Sequence, residues 1–297
     1  LHNGSIHVGD IDAWTFEAEV GDFVNVRLGE TDNGSGFDPH IELVDPSGTV
    51  IAEDEAPADG WVSLTATVAG TYTVLVTDHA DGASDNSDDT GSYRLEMIRL
   101  PGEFLVSEGD DGGPLTSGLL HEGTIHVGDI DTWTVEAEVG DVVTVRLGET
   151  DDGTGFAPHL RLLGPDGTLL SEEQAPADGW VETVATVAGL HFVQVLDQGR
   201  LAGEHNDDSG SYRLEMIRLP GEFLVSEGDE GGPLTNGTVQ EGAIHVGDID
   251  TWTFEAEAGD VINLEMAKIP DGTDLRPYMR LFAPDGSLVA ANDHRSS

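Results

Sequence analysis

The 297-residue chain carries 58 acidic residues against 12 basic ones, a formal net charge of −46 at pH 7, and it contains no cysteine. Nucleic acids and anionic membranes bind clustered Lys and Arg, so this charge excludes both as partners. Without cysteine there are no disulfides and no thiol chemistry, and no run of about 20 apolar residues indicates a membrane span.

Alternating apolar and polar residues predict short, half-buried antiparallel strands along the first 100 residues. The clearest runs lie at residues 14–19, 24–28, 41–43, 72–76 and 93–97. Tight turns separate them, such as Asp45-Pro46-Ser47-Gly48, where proline fixes the backbone angle that a type I turn needs. About eight short strands at this spacing predict an all-β fold, a jelly-roll-like antiparallel β-sandwich.

The same pattern returns with an offset of 119 residues. The segment Ile6–Asp12 recurs at Ile125–Asp131 and at Ile244–Asp250. A repeat of this length is a whole domain and not one rung of a solenoid. The predicted division is unit 1 (residues 1–100), connector 1 (101–118), unit 2 (119–219), connector 2 (220–237) and unit 3 (238–297), so the sequence predicts a tandem array.

Unit 3 holds only the first half of the pattern. We expect the sequence to be a window from a longer array or a processed chain, or unit 3 to be completed by strand addition from another chain. Each connector is rich in glycine and acidic residues, but Phe104, Leu105 and Val106 are apolar. We therefore expect part of connector 1 to pack as a short strand against a unit.

An ordered set of short motifs resembles the bacterial pre-peptidase C-terminal domain. The motifs are Gly9-Asp10-x-Asp12-x-Trp14, Gly21-Asp22, Pro39-x-Ile41-x-Leu43, Asp45-Pro46-x-Gly48, Gly70-x-Tyr72-x-Val74-x-Val76 and Gly91-x-Tyr93-x-Leu95. The resemblance implies a non-catalytic β-sandwich carried by secreted bacterial hydrolases and large surface proteins, some of which bind calcium, collagen or other insoluble substrates. Unit 2 departs from the motif, with His191 where unit 1 has Tyr72.

The residues give no sign of catalysis. A nucleophile needs a base and an orienting group within reach. With no cysteine it would have to be serine or threonine, and no Gly-x-Ser-x-Gly elbow occurs. Carboxylate pairs carry little information in so acidic a chain. We therefore predict that this segment is not an enzyme.

Calcium is the predicted cofactor, because it takes six to eight oxygen ligands from acidic, glycine-containing loops. Two kinds of loop offer such ligands in both full units: the loop before the Gly-Ser-Tyr strand, and the connector together with the opening turn of the next unit. We predict an ion between connector and opening turn that stiffens the boundary, although short Asp side chains in turns such as Asp10 and Asp12 often bind turn amides instead. The candidate ligands are Asp88, Asp89, Asp110, Asp111, Asp129, Asp131, Asp207, Asp208, Asp229 and Glu230.

Two tryptophans are candidates for ligand binding. Trp61 and Trp180 each follow Ala-Asp-Gly at the start of a strand, where an indole can stack on a sugar, or can simply pack over the rim of the sandwich. Trp14, Trp133 and Trp252 alternate with core residues and are predicted to lie in the core.

The function that these patterns favour is a non-catalytic, extracellular or cell-surface array from a bacterium, structural or adhesive. One version is a fibre or filament subunit. The predicted partners are adjacent repeats, neighbouring copies of the chain, or an extracellular polymer. The alternative is a substrate-binding or secretion-associated appendage of a larger secreted hydrolase.

Overall fold

Unit 1 folds into two four-stranded sheets, which confirms the predicted all-β sandwich. The computed structural model describes residues 1–32, 36–55, 59–79, 89–102, 104–151, 155–174, 178–197, 208–269 and 275–293. The strands of unit 1 are β1 (His2–Ile6), β2 (Asp12–Ala18), β3 (Phe23–Glu30), β4 (Pro39–Val44), β5 (Val50–Glu55), β6 (Asp59–Thr65), β7 (Gly70–Asp78) and β8 (Gly91–Leu100).

The strand order is that of a jelly roll. The sheets run β1-β8-β3-β6 and β2-β7-β4-β5, so the first strand pairs with the last, the second with the seventh, and so on inward to the β4–β5 hairpin. All these pairs are antiparallel. One long hairpin has thus folded over into two facing layers, each contributing alternate residues to the core.

The interior of unit 1 consists of the apolar half of each alternating run. Val24, Val26 and Leu28 of β3 are fully buried and face Ile41 and Leu43 of β4. The polar half of the same runs points to the outer faces. The indole of Trp14 lies beside this core, and its Nε1 donates a 2.9 Å hydrogen bond to the hydroxyl of Tyr93.

Unit 2 repeats the topology with one added strand. Its strands are β9 (Gly112–Pro114), β10 (Leu120–Ile125), β11 (Asp131–Ala137), β12 (Val142–Glu149), β13 (Pro158–Leu163), β14 (Leu169–Gln174), β15 (Asp178–Val184), β16 (Gly189–Asp197) and β17 (Gly210–Leu219). The sheets run β10-β17-β12-β15 and β14-β13-β16-β11-β9. His191 pairs with Val135 as Tyr72 pairs with Phe16, so the register is unchanged by the substitution.

The short strand of connector 1 is β9, which pairs in parallel with β11. It lies at Gly112–Pro114 and not at the apolar residues 104–106. Phe104 instead packs edge-on against Phe192 of unit 2, with ring centroids 6.3 Å apart. The connector is therefore held against unit 2 by a side chain and a backbone ladder.

Unit 3 forms only part of the pattern. Its strands and the connector strand before them are β18 (Gly231–Pro233), β19 (Thr251–Thr253), β20 (Tyr278–Phe282) and β21 (Leu288–Asp293). Residues 239–244 and 261–268 correspond to β10 and β12 but form no strand. In unit 2 those segments pair with β15 and β17, which have no counterpart among residues 238–293. The described ranges contain no helix, and so none that could cross a membrane.

Units 1 and 2 pack face to face through their sheets, although each has its own core. A third apolar cluster lies between them. It comprises Ile98 and Leu100 from β8, with Phe23 beside them, and Ile130, Leu163, Phe192 and Leu196 from unit 2. We call this contact joint 1. The outer face of β8 is thus polar at one end and apolar at the other, where the next unit covers it.

The two backbones touch at a pair of glycines in joint 1. A Cβ on Gly29 of β3 would overlap the backbone of Gly128, which itself has a φ of +74°. The contact recurs one repeat later between Gly148 and Gly247, in what we call joint 2. Only glycine allows two chains this close, so both joints have the same close-packed geometry.

Replacing Phe192 by alanine is expected to loosen joint 1. The substitution removes the ring that fills the apolar cluster, and a buried Phe→Ala change costs about 3 kcal/mol. Calorimetry should show a lower melting temperature, and limited proteolysis should show faster cleavage in connector 1.

The matched control is Thr73→Ala, at the equivalent position of unit 1, where no unit packs. It should melt like the wild type. If Phe192→Ala also melts and is cleaved like the wild type, units 1 and 2 do not depend on this contact.

Candidate metal centres at the joints

Three carboxylates from three different elements meet at joint 1. Glu96 lies on β8 of unit 1, Asp110 lies in connector 1, and Asp129 lies in the turn before β11 of unit 2. One oxygen from each falls within 4.8 Å of the other two. The cluster therefore exists only when unit 2 is docked on unit 1.

Backbone amides fix the position of two of these carboxylates. Oε2 of Glu96 accepts a 2.9 Å hydrogen bond from the amide of Ile130, in unit 2. Oδ2 of Asp129 accepts a 3.2 Å bond from the amide of His126, as short Asp side chains do in turns. The other oxygen of Asp129, Oδ1, is buried and has no hydrogen-bond partner among the described residues.

Burial makes three negative charges costly at this place. Glu96 is 7% exposed and Asp129 is 2% exposed. Burial, together with the charges of Asp110 and Asp129, raises the pKa of Glu96 to about 8. Burial and Asp129 likewise raise the pKa of Asp110 to about 6. Arg94 offsets part of this charge, with Nη1 3.6 Å from Oδ2 of Asp129, and the remainder calls for a proton or a cation.

Joint 2 repeats the cluster 119 residues later. Glu215, Asp229 and Asp248 form the equivalent group, and Oε2 of Glu215 accepts a 2.7 Å bond from the amide of Ile249. Burial raises the pKa of Glu215 to about 8. Asp229 also groups with Glu230 and Asp250, and burial with the neighbouring Asp248 raises the pKa of Asp250 to about 7.

The predicted ligands divide between the acidic groups at the joints and structural hydrogen bonds. Asp110, Asp129, Asp229 and Glu230 lie in the acidic groups. Asp111 instead accepts a 2.8 Å bond from the amide of Thr124.

Asp131 is the carboxylate end of a buried hydrogen-bond chain. It accepts a 2.6 Å bond from the hydroxyl of Tyr212, which in turn accepts a 2.8 Å bond from Nε1 of Trp133. Burial raises the pKa of Asp131 to about 10. Asp131 also lowers the pKa of Asp110 in part, so it borders the cluster of joint 1.

The acidic loops before β8 and β17 are described only at their ends. Asp89 lies beside Gly36 and Asp208 beside Gly155. Neither belongs to a group of three ligand-type side chains in the described part of the chain. Asp88 and Asp207 lie outside the described residues. Calcium binding by these loops stays a prediction.

Glu96, Glu215, Asp248 and Asp250 are not among the ligands predicted from the sequence, although they lie in the acidic groups. Glu96 falls on the polar half of an alternating strand, which is typical of a solvent-facing residue. The residues that indicate a covered face lie further along the same strand, because Ile98 and Leu100 are apolar and lie on the same face as Glu96. Apolar residues on the outer face of a surface strand indicate a packing partner.

Both tryptophans proposed for ligand binding lie at the joints. The guanidinium of Arg161 in unit 2 lies 5.4 Å from the ring centroid of Trp61. At joint 2, Arg280 lies 4.4 Å from the ring of Trp180 and forms an ion pair with Glu182. Trp180 is still 40% exposed. The arrangement is a cation–π contact between units, and sugar binding stays a prediction.

Arg27 ties the two units together through a buried ion pair. It is 2% exposed, its Nε donates a 2.8 Å bond to Asp59, and its Nη1 donates a 3.0 Å bond to the carbonyl of Asp129 in unit 2. Burial disfavours the cation, but Asp59 more than offsets this and keeps the pKa of Arg27 above its usual value. The equivalent pair in unit 2, Arg146 with Asp178, is 35% and 41% exposed.

Replacing Arg27 by methionine is expected to destabilise the protein by about 3–5 kcal/mol, because it removes the cation that faces the buried Asp59 carboxylate. The same change at Arg146 should cost about 1 kcal/mol or less, since that pair is solvated. Urea unfolding of both variants measures the difference. Equal losses would contradict the assignment of Arg27 as a buried tie between units.

Comparison with known proteins confirms the family resemblance. Residues 10–78, which span β2 to β7, match the family described as bacterial pre-peptidase C-terminal domain. The match supports a non-catalytic β-domain, and such domains occur in secreted bacterial proteins. Comparison with curated proteins gives no match.

One solved structure that resembles this chain is the CUB1-EGF-CUB2 domain of human MASP-1/3. It is 11% identical, and the alignment covers 72% of this chain and 99% of that one. Its TM-score of 0.20 supports no inference about fold or function.

Proposed function

We propose that the chain is a non-catalytic structural array outside the bacterial cell, since residues 10–78 match the family described as bacterial pre-peptidase C-terminal domain. Its sandwiches are stacked face to face, and calcium fastens each joint. The observation that carries this proposal is the recurrence of one joint: the glycine contact, the arginine on tryptophan and the three-carboxylate cluster all return at an offset of 119 residues.

The cluster at joint 1 suits calcium in its ligands and its charge. Calcium accepts carboxylate oxygens in a flexible coordination geometry, and water molecules complete its coordination shell. Glu96, Asp110 and Asp129 supply three carboxylates, and the buried Oδ1 of Asp129 has no other partner among the described residues. A divalent cation would offset the charge that raises the pKa of Glu96 and Asp110.

Calcium binding at such a site would favour the docked arrangement of units 1 and 2. Its three ligands come from unit 1, the connector and unit 2, so the ion binds only the docked arrangement. Binding to one state alone shifts the equilibrium toward that state. Sites in extracellular modules commonly bind calcium at 10⁻⁴–10⁻³ M. We therefore expect calcium binding to make the array a stiff stalk outside the cell.

Adhesion and filament formation are more specific roles that such an array could have. The contacts at joints 1 and 2 favour adjacent repeats as the partners of each unit. Neighbouring copies of the chain, or an extracellular polymer bound near Trp180, would extend the array. The exposed indole of Trp180 is the feature that favours a polymer.

The alternative, an appendage of a secreted hydrolase, is favoured by the family match itself. The name of that family links the domain to peptidases. A catalytic domain encoded beside these repeats would support the appendage, whereas further 119-residue units would support the array.

Calorimetric titration of the full chain should show two calcium sites, one at each joint. Glu96→Gln should remove the site at joint 1 and Glu215→Gln the site at joint 2, because each substitution removes one charged ligand. Chelation should lower the melting temperature of the wild type. Small-angle scattering should then show a broader range of unit orientations.

The control is Glu138→Gln, which removes one exposed carboxylate outside both clusters and should bind calcium like the wild type. A chelator that leaves the melting curve unchanged, or two sites remaining in Glu96→Gln, would overturn the calcium assignment. The stacked array would still be tested separately by Arg27→Met.

A further inference from the structure

A second kind of ligand cluster lies on unit 1, on the face turned away from joint 1. It combines two histidines with three glutamates on neighbouring strands. The cluster consists of His40 and Glu42 on β4, Glu53 and Glu55 on β5, and His79 just after β7. It lies on the sheet of unit 1 that does not contain β8, and it differs from the acidic groups of the joints in having imidazole side chains.

The register of the sheet places these groups side by side. His40 lies opposite Glu55, and Glu42 lies opposite Glu53, on the antiparallel β4–β5 pair. Cross-strand partners on one face have Cβ atoms about 4.5–5.5 Å apart. Ligand atoms of His40, Glu42 and Glu53 lie within 4.8 Å of one another.

His40 is oriented as metal-binding histidines usually are. Its Nδ1 lies 3.2 Å from the hydroxyl of Thr77, a hydrogen bond that fixes the ring and leaves Nε2 as the second nitrogen. Nε2 is buried without a hydrogen-bond partner among the described residues, although it lies 3.8 Å from Oε1 of Glu55. Metal-ligating histidines typically use their other ring nitrogen in such an outer-shell bond.

The spacing of the ligand atoms suits a small transition-metal ion. Ligands bound at 2.0–2.1 Å around a tetrahedral ion lie about 3.3 Å from each other. Nε2 of His79 lies 3.3 Å from Oε2 of Glu55, and the rings of His40 and His79 are 5.6 Å apart in an edge-on arrangement. His79 and Glu55 thus lie at the edge of the three-residue group formed by His40, Glu42 and Glu53.

The corresponding face of unit 2 carries a different set of charged side chains. The four equivalent positions there are His159, Arg161, Glu172 and Gln174. Arg161 brings a positive charge 4.0 Å from Glu172. In unit 1 the arginine is replaced by Glu42, which puts two carboxylates directly opposite each other. Like charges in that position are destabilising unless a cation lies between them.

We propose that His40, Glu42 and Glu53 bind a divalent transition-metal ion of the zinc class, with His79 and Glu55 bordering the site. Imidazole together with carboxylate is the ligand set that zinc accepts and that calcium does not prefer. The ion would bind on the outer face of unit 1, independent of the calcium sites proposed for the joints.

The test is calorimetric titration of the chelator-treated full chain with Zn²⁺, in excess calcium so that the joints are filled. We expect one zinc site per chain. His40→Ala and Glu42→Arg should each weaken it by at least about tenfold, the first by removing a ligand and the second by recreating the arginine of unit 2. Thr77→Val should weaken it about tenfold through the lost outer-shell bond.

The control variant is His7→Ala, an exposed histidine outside the cluster, which should bind zinc like the wild type. X-ray absorption of the zinc-saturated protein should show an imidazole ligand in the wild type that is missing in His40→Ala. Glu42→Gln covers the event that His40→Ala fails to fold, since it removes only one charge at the surface. Zinc binding unchanged in both Glu42 variants, or lost in Glu96→Gln and Glu215→Gln instead, would overturn the proposal.

Discussion

The constraint on which the architecture depends is the burial of a charged sheet face between two units. The outer face of β3 and β8 carries Arg27 and Glu96, and unit 2 covers both. A buried charge is tolerated only when it is paired. Arg27 finds Asp59 and a carbonyl of unit 2, whereas Glu96 faces two further carboxylates. The joint is therefore held by one ion pair and contains one carboxylate cluster whose charge calls for a proton or a cation.

Apolar packing makes up the rest of joint 1, and the two units contribute different faces to it. Leu163, Phe192 and Leu196 of unit 2 cover the apolar end of β8. The equivalent positions of unit 1 are Val44, Thr73 and Thr77, so its own outer face is more polar. Together with Glu42 in place of arginine, this makes unit 1 a poor partner for the outer face of another unit's β8.

Much of the fold could be predicted from residue order alone. The period-two alternation located the main strands because every strand has one face in a core, and the turn sequences separated them. The calcium hypothesis paired the connector with the next opening turn, and the structure brings Asp110 and Asp129 together there. Glu96 could not be predicted, because a glutamate on an outer strand face looks solvated until another unit covers it.

The sequence by itself determined the repeat, the all-β class and the inward-facing side chains, since alternation and turn chemistry are local properties of the chain. Only the tertiary structure decided which outer faces are covered and which charges meet. Residues as distant as Glu96 and Asp129, or His40 and His79, come together through sheet register and docking between units. No local pattern encodes the second face of a sheet, because its environment is set by whatever packs against it.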